Sequence, residues 1–147
     1  MIKVEGVAKS YGSIKVLDNV SLEIKAGKTV GIVGPSGSGK TTLLRVIAGL
    51  DTADRGIVTI DGIPASIPEL VIGPSGRNIS AVFQVPALWP HMTVQENLDY
   101  VHTRERGNAK GLMESVGLSM LVDRNPSELS GGEARRVSIV RGLLADR

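Results

Sequence analysis

The chain has 147 residues, 41% hydrophobic and 22% charged, a composition that suits one domain-sized core and excludes wholesale disorder. Its net charge is only +2, with Lys and Arg scattered among Asp and Glu, so no basic stripe recommends a nucleic-acid partner; with no cysteine, disulfide frameworks, thiolate metal sites and cysteine nucleophiles are excluded. Aromatics at 3% leave the core to Val, Ile, Leu and Ala, and no apolar stretch has the length of a signal peptide or a membrane span, so any membrane role is expected to be peripheral.

Val20, Leu22 and Ile24 alternate with Ser21 and Glu23, the period of a half-buried strand entering a turn at 25–28. The run TVGIV at 29–33 has no polar face and predicts a strand covered on both sides, running directly into a glycine-rich loop. After the loop, Leu43, Leu44, Ile47 and Ala48 recur at helical spacing, with Gly49 as the C-terminal stop. Residues 57–60 and 79–83 predict two further strands, separated by a loop rich in Pro, Gly and Ser. From residue 85 the texture is helical. Thr93 and Glu96 form a capping box ahead of Leu98 and Val101, residues 108–116 predict a short helix ending at Gly117, and a last helix is expected over 133–145 with Val137, Val140 and Leu144 as its apolar stripe.

Residues 34–41, GPSGSGKT, satisfy the G-x-x-x-x-G-K-[ST] pattern, with the expected strand before and the expected helix after. That pattern cradles nucleotide phosphates. The backbone must wrap closely with its N–H groups inward and no Cβ in the way, and the helix N-terminus adds partial positive charge. Gly34, Pro35, Ser36, Gly37, Ser38 and Gly39 form the loop, Lys40 is placed to reach the β- and γ-phosphates of ATP, the Thr41 hydroxyl to ligate Mg2+, and Thr42 to support the α-phosphate. A plain glycine turn is the bland alternative, but a chance match in a chain this long arises about once in a few hundred sequences. The second GPSG, at 73–76, is followed by Arg77 and Asn78 and is expected to be an ordinary loop.

A second motif, Leu129-Ser130-Gly131-Gly132-Glu133, resembles the LSGGQ signature of ATP-binding cassette (ABC) ATPases and lies downstream of the phosphate loop as in that family. The segments VLDNVSLEIKAGKTVGIVGPSGSGKTTLLRVIAGL at 16–50 and VFQVPALWPHMTVQENL at 82–98 are also similar to the family, the latter to its importer-type subunits, so the resemblance spans essentially the whole chain. It implies an α/β fold of the phosphate-loop NTPase type: a mainly parallel sheet, antiparallel strands near the N-terminus and a small helical subdomain. The implied divisions are 1–84 for the nucleotide-binding core, 85–129 for the helical subdomain and 130–147 for the signature and its helix. It also implies that Tyr11 stacks on adenine and that Gln84 is the Q-loop glutamine, sensing magnesium and attacking water. Two ATPase subunits would pair head to tail, with Ser130, Gly131 and Gly132 reaching the partner's nucleotide in trans. The bland reading of Ser130 and Glu133 is a capping box for the last helix, and the two readings are compatible.

The same resemblance implies a function: ATP hydrolysis coupled to solute movement by separate transmembrane permease subunits, with the chain peripheral on the cytoplasmic face of the cell membrane. Trp89 and His91 lie in the stretch expected to face such a permease, whereas Arg135, Arg136 and Arg141 are expected to form a solvated helix face. In the family, a strand ending in a magnesium-anchoring Asp (the Walker B motif), a catalytic Glu, the D-loop and a switch histidine follow the signature; here the sequence ends at Arg147 before them, so no complete catalytic set is expected within it. Asp61 reads as a turn residue, and His91 and His102 precede the signature, so none of the three substitutes for the missing groups. Rival readings are a non-transport ABC ATPase, a phosphate-loop kinase or GTPase, and a nucleotide-binding fragment without turnover.

Overall fold

The computed structural model describes residues 1–101 and 109–145, and they form two compact units, Met1–Ile79 and Ser80–Arg147. The first is built on a sheet of order β2-β1-β3-β4-β5, with β1 Ile2–Tyr11, β2 Ile14–Ile24, β3 Arg55–Ile60, β4 Ile63–Ile67 and β5 Leu70–Val71. Every pairing in it is antiparallel. Two-residue turns close two of the hairpins: Gly12-Ser13 joins β1 to β2, and Asp61-Gly62, with φ of 48° and 82°, joins β3 to β4 as a primed turn that matches strand twist. Asp61 is therefore a turn residue, and its carboxylate also receives the N-terminal ammonium.

Helix α1, Lys40–Ala48, packs on this sheet; Leu43, Val46 and Ile47 join Val4, Val7, Leu17, Val58 and Ile60 in one core. The expected apolar face is turned by a fraction of a helical step: Leu44 is 55% exposed, and Val46, fully buried, takes its place. Gly49 ends the helix in the left-handed conformation at φ 76°.

The runs 29–33 and 79–83 form no strand, a correction to the sequence expectation. A strand exists only as part of a ladder, and among the described residues no ladder partner lies beside either run; Val33 is 92% exposed. The parallel part of the expected sheet is thus absent among the described strands, whereas the N-terminal antiparallel strands and the helical segments are present.

The second GPSG is a loop as expected, but it has a structural task. Its single 3-10 turn, Pro74–Gly76, delivers Arg77 into the interior, where the side chain is 3% exposed. The guanidinium donates to the carbonyls of Ile72 (2.6 Å), Val46 (2.9 Å), Ile47 (2.8 Å) and Ala65 (2.9 Å) and to Ser66 Oγ (2.6 Å). Two of those carbonyls are at the C-terminus of α1, so the cation sits at the negative end of the helix dipole. Burial holds its pKa below the usual arginine value. A Cβ on Gly49 would collide with this guanidinium, which explains glycine there beyond its backbone angle.

In the second unit, α2 Val94–Asp99, α3 Ala109–Ser115 and α4 Gly131–Leu144 enclose a core of Val94, Leu98, Met113, Leu118, Leu121, Val137, Val140 and Leu144. The Thr93 box is formed: the Thr93 amide donates to Glu96 Oε2 (2.7 Å) and the Glu96 amide to Thr93 Oγ1 (3.2 Å). The last helix starts two residues earlier than expected because Ser130 is its N-cap. Residue 108 and His102 lie outside the described residues.

Candidate phosphate-binding site

The loop at 34–39 connects an extended segment to the first turn of α1, and its glycines are dictated by geometry. Gly37 and Gly39 have φ of 81° and 85°, where an L side chain is strained, and a Cβ on Gly39 would lie 2.8 Å from the Val16 carbonyl oxygen. That contact seats the loop against the start of β2. Gly39 is the N-cap of α1 and provides no side-chain cap, and no acidic residue occupies the first turn. The leading N–H groups and the positive end of the helix are thereby left for an external anion.

Lys40 curls back over the loop. Its ammonium donates to the carbonyls of Gly34 (2.9 Å) and Pro35 (2.6 Å) and to Ser38 Oγ (3.2 Å), so the positive charge is held at the rim of the cradle. Pro35, Ser36 and Gly37 are exposed, as is Thr41 in the first turn of α1, while Thr42 is half-buried beside it. The exposed glycine-rich backbone and, in the first turn of α1, one ammonium and the exposed Thr41 side chain are groups of the kind that hold a polyphosphate.

Tyr11 ends β1 in the same unit and is 47% exposed. Gln84 is exposed at a bend in the second unit. There, too, Ser130 caps α4: its amide (2.7 Å) and hydroxyl (2.6 Å) both donate to Glu133 Oε2, and the Glu133 amide returns a bond to Ser130 Oγ (3.3 Å). These bonds, the hydroxyl's above all, hold the Glu133 carboxyl below the usual glutamate range. Glu133 therefore serves its own helix, as Gln can in such a box. Gly131 and Gly132 are exposed, have ordinary φ, and would meet nothing within 4 Å if given a Cβ. Intrachain packing does not call for glycine at either position.

One further expectation is revised. Arg141 is not part of a solvated face: its guanidinium lies 4.5 Å from the centroid of the Trp89 ring, and burial lowers its pKa, while Arg135 and Arg136 are exposed as expected. Trp89 is half-buried, with Tyr100 at 4.6 Å on its other contact, whereas His91 is exposed. Asn97, which the sequence reading passed over, is fully buried and pins this segment: its Oδ1 accepts from the Trp89 amide (2.9 Å), and its Nδ2 donates to the carbonyls of Trp89 (3.1 Å), Met92 (3.2 Å) and Thr93 (3.0 Å). The one signal for it was an Asn among the apolar residues of a helix face.

The ABC transporter family model matches residues 17–147. The chain is 42% identical to the sulfate/thiosulfate import ATP-binding protein CysA of Rhodopseudomonas palustris over 99% of its own length and 44% of the relative's. It is equally 42% identical to the lactose transport ATP-binding protein LacK of Rhizobium radiobacter, covering 97% of itself and 40% of that protein. The chain thus spans less than half the length of these relatives. Among solved structures, the dimeric post-hydrolysis state of the ATP-binding cassette MJ0796, bound to ADP and Pi, superposes with a TM-score of 0.82 at 33% identity, over 99% of this chain and 70% of that one. With the phosphate loop, the signature segment and this shared fold, the chain belongs to the ABC transporter family.

Proposed function

We propose that the chain is the nucleotide-binding portion of an ABC transporter ATPase subunit, which binds ATP with Mg2+ and, in the whole protein, hydrolyses it to drive solute movement through separate membrane permeases. The observation that carries this reading is the loop at 34–41: a glycine backbone seated on β2, an uncapped helix N-terminus and the Lys40 ammonium at its rim. Magnesium, when bound with ATP, would neutralise charge on the β- and γ-phosphates; Thr41 and Gln84 are the residues that the family resemblance assigns to hold it. Tyr11 supplies a face for adenine. Among the described residues no helix is long and apolar enough to cross a membrane, which accords with a peripheral place on the cytoplasmic face beside permease subunits.

The partner is a second ATPase subunit, arranged head to tail, with Ser130, Gly131 and Gly132 of one copy closing on the nucleotide held by the other. Support comes from the signature itself: two glycines with open space beside them, at the N-terminus of a 14-residue helix. A mixing experiment on the intact protein tests the arrangement. Lys40→Ala and Ser130→Ala subunits, each unable to occlude nucleotide alone, are expected to regain about one occluded nucleotide per mixed dimer, because one of the two sites then draws intact residues from both copies. No recovery on mixing would refute the trans arrangement.

A further inference from the structure

We infer that Asp51, held by Arg45, is a positioning residue that fixes the Tyr11 ring as a base platform at a set place along the phosphate-loop helix. The inference rests on the nucleotide reading above and goes beyond it to how the base platform is held.

Tyr11 closes the β1–β2 hairpin, and a ring at a hairpin tip would ordinarily swing among rotamers. Here its hydroxyl donates to Asp51 Oδ2 at 2.7 Å. The same carboxylate takes Arg45 Nε at 2.7 Å and Arg45 Nη2 at 3.4 Å. Arg45 is on α1, five residues beyond Lys40, so the ring is tied through two side chains to the helix that carries the phosphate loop. The Asp51 side chain is 18% exposed, and its pKa is lowered first by the Arg45 hydrogen bond and then by that of Tyr11, so it is a carboxylate acceptor at neutral pH.

One face of the ring is already taken. Lys9 Nζ lies over it, 5.3 Å from the centroid, and is itself paired with Asp54 Oδ1 at 3.2 Å. Asp54 also accepts from the Ser10 amide at 2.6 Å, which locks the strand end. Tyr11 is 47% exposed, and Lys9 is the only cation found over its ring among the described residues, so a planar base is assigned to the side away from Lys9. The hairpin is tethered to α1 at two places: near its N-terminus, where Gly39 meets Val16, and near its C-terminus through Arg45 and Asp51. Together they hold the base platform at a constant separation from the phosphate cradle, which is what a nucleoside triphosphate requires and a bare polyphosphate does not.

The test compares ATP with inorganic tripolyphosphate, both with magnesium, on the intact protein carrying Asp51→Ala, Tyr11→Phe or both. Each single variant is expected to weaken ATP about five-fold, the scale of one hydrogen bond, and the double variant to be no worse than about the singles, because both remove one link. Tripolyphosphate affinity should stay within about two-fold throughout, which a general loosening of the loop would not allow. Tyr11→Phe keeps the ring, so its loss reports the tether and not the stacking. ATP affinity unchanged in Asp51→Ala, or ATP and tripolyphosphate weakened in parallel, would overturn the inference while leaving the phosphate loop's role standing. A wild-type protein that binds neither compound would instead defeat the nucleotide reading itself.

Discussion

Arg77→Leu is expected to cost about 4 kcal/mol of folding stability and to lower the unfolding midpoint by roughly 10 °C. The substitution keeps apolar volume but strips five donors from a pocket where four carbonyls and the Ser66 hydroxyl converge. All of those acceptors but the Ile72 carbonyl, which is part-buried, are buried by the same fold that buries the guanidinium, so they do not regain water when it leaves. Two of them, Val46 and Ile47, end the phosphate-loop helix, and the loss therefore loosens α1 where its C-terminus meets β4. Arg77→Lys should recover less than half of the loss, since three donors on one nitrogen cannot span acceptors arranged for a planar fork. Chemical unfolding monitored by circular dichroism measures both, and a loss below about 1 kcal/mol for Arg77→Leu would show that the carbonyls find other partners.

Lys40→Ala is expected to weaken ATP binding about 100-fold while changing stability by less than about 1 kcal/mol. The affinity figure follows from two charge-assisted hydrogen bonds of roughly 1.5 kcal/mol each to phosphate oxygens. The small stability cost follows from the partners the ammonium has now. Gly34 and Pro35 are exposed, so their carbonyls, relieved of Lys40, are met by water. Calorimetric titration gives the affinity and thermal unfolding the stability. Equal ATP affinity in the two proteins would remove Lys40 from the site, and a large fall in melting temperature would mean that its role is structural.

What the sequence revealed was mostly what is local. The Thr93–Glu96 and Ser130–Glu133 boxes, the Asp61-Gly62 turn and the Gly49 stop all rest on partners within three or four residues, and each stands where it was expected. The phosphate loop was legible for the same reason, since eight consecutive residues carry its pattern, although its seat against Val16 is a tertiary contact. Leu44 and Val46 exchanged places because the apolar arc of α1 is set by which face meets the sheet, a tertiary fact that spacing alone fixes only to within a residue. The apolar runs at 29–33 and 79–83 were read as strands from composition, but a strand is a pairing, and apolar content does not say with what. Arg77 was invisible for a related reason: its acceptors lie as far as 31 positions away, and nothing near a Gly-Arg-Asn segment signals a buried cation. Arg141 was misassigned because its charge groups it with Arg135 and Arg136, while its aromatic partner, Trp89, comes from another segment.

The most direct measurement of the phosphate-loop account is the amide nuclear magnetic resonance spectrum of the intact protein as magnesium and ATP are added. Backbone N–H groups that grasp phosphate shift when they do so, and the account predicts saturable shifts at Gly37, Ser38, Gly39, Lys40 and Thr41, absent at the same ATP concentration in Lys40→Ala. Saturable shifts confined to other residues, with the loop amides unmoved while ATP binds, would contradict it.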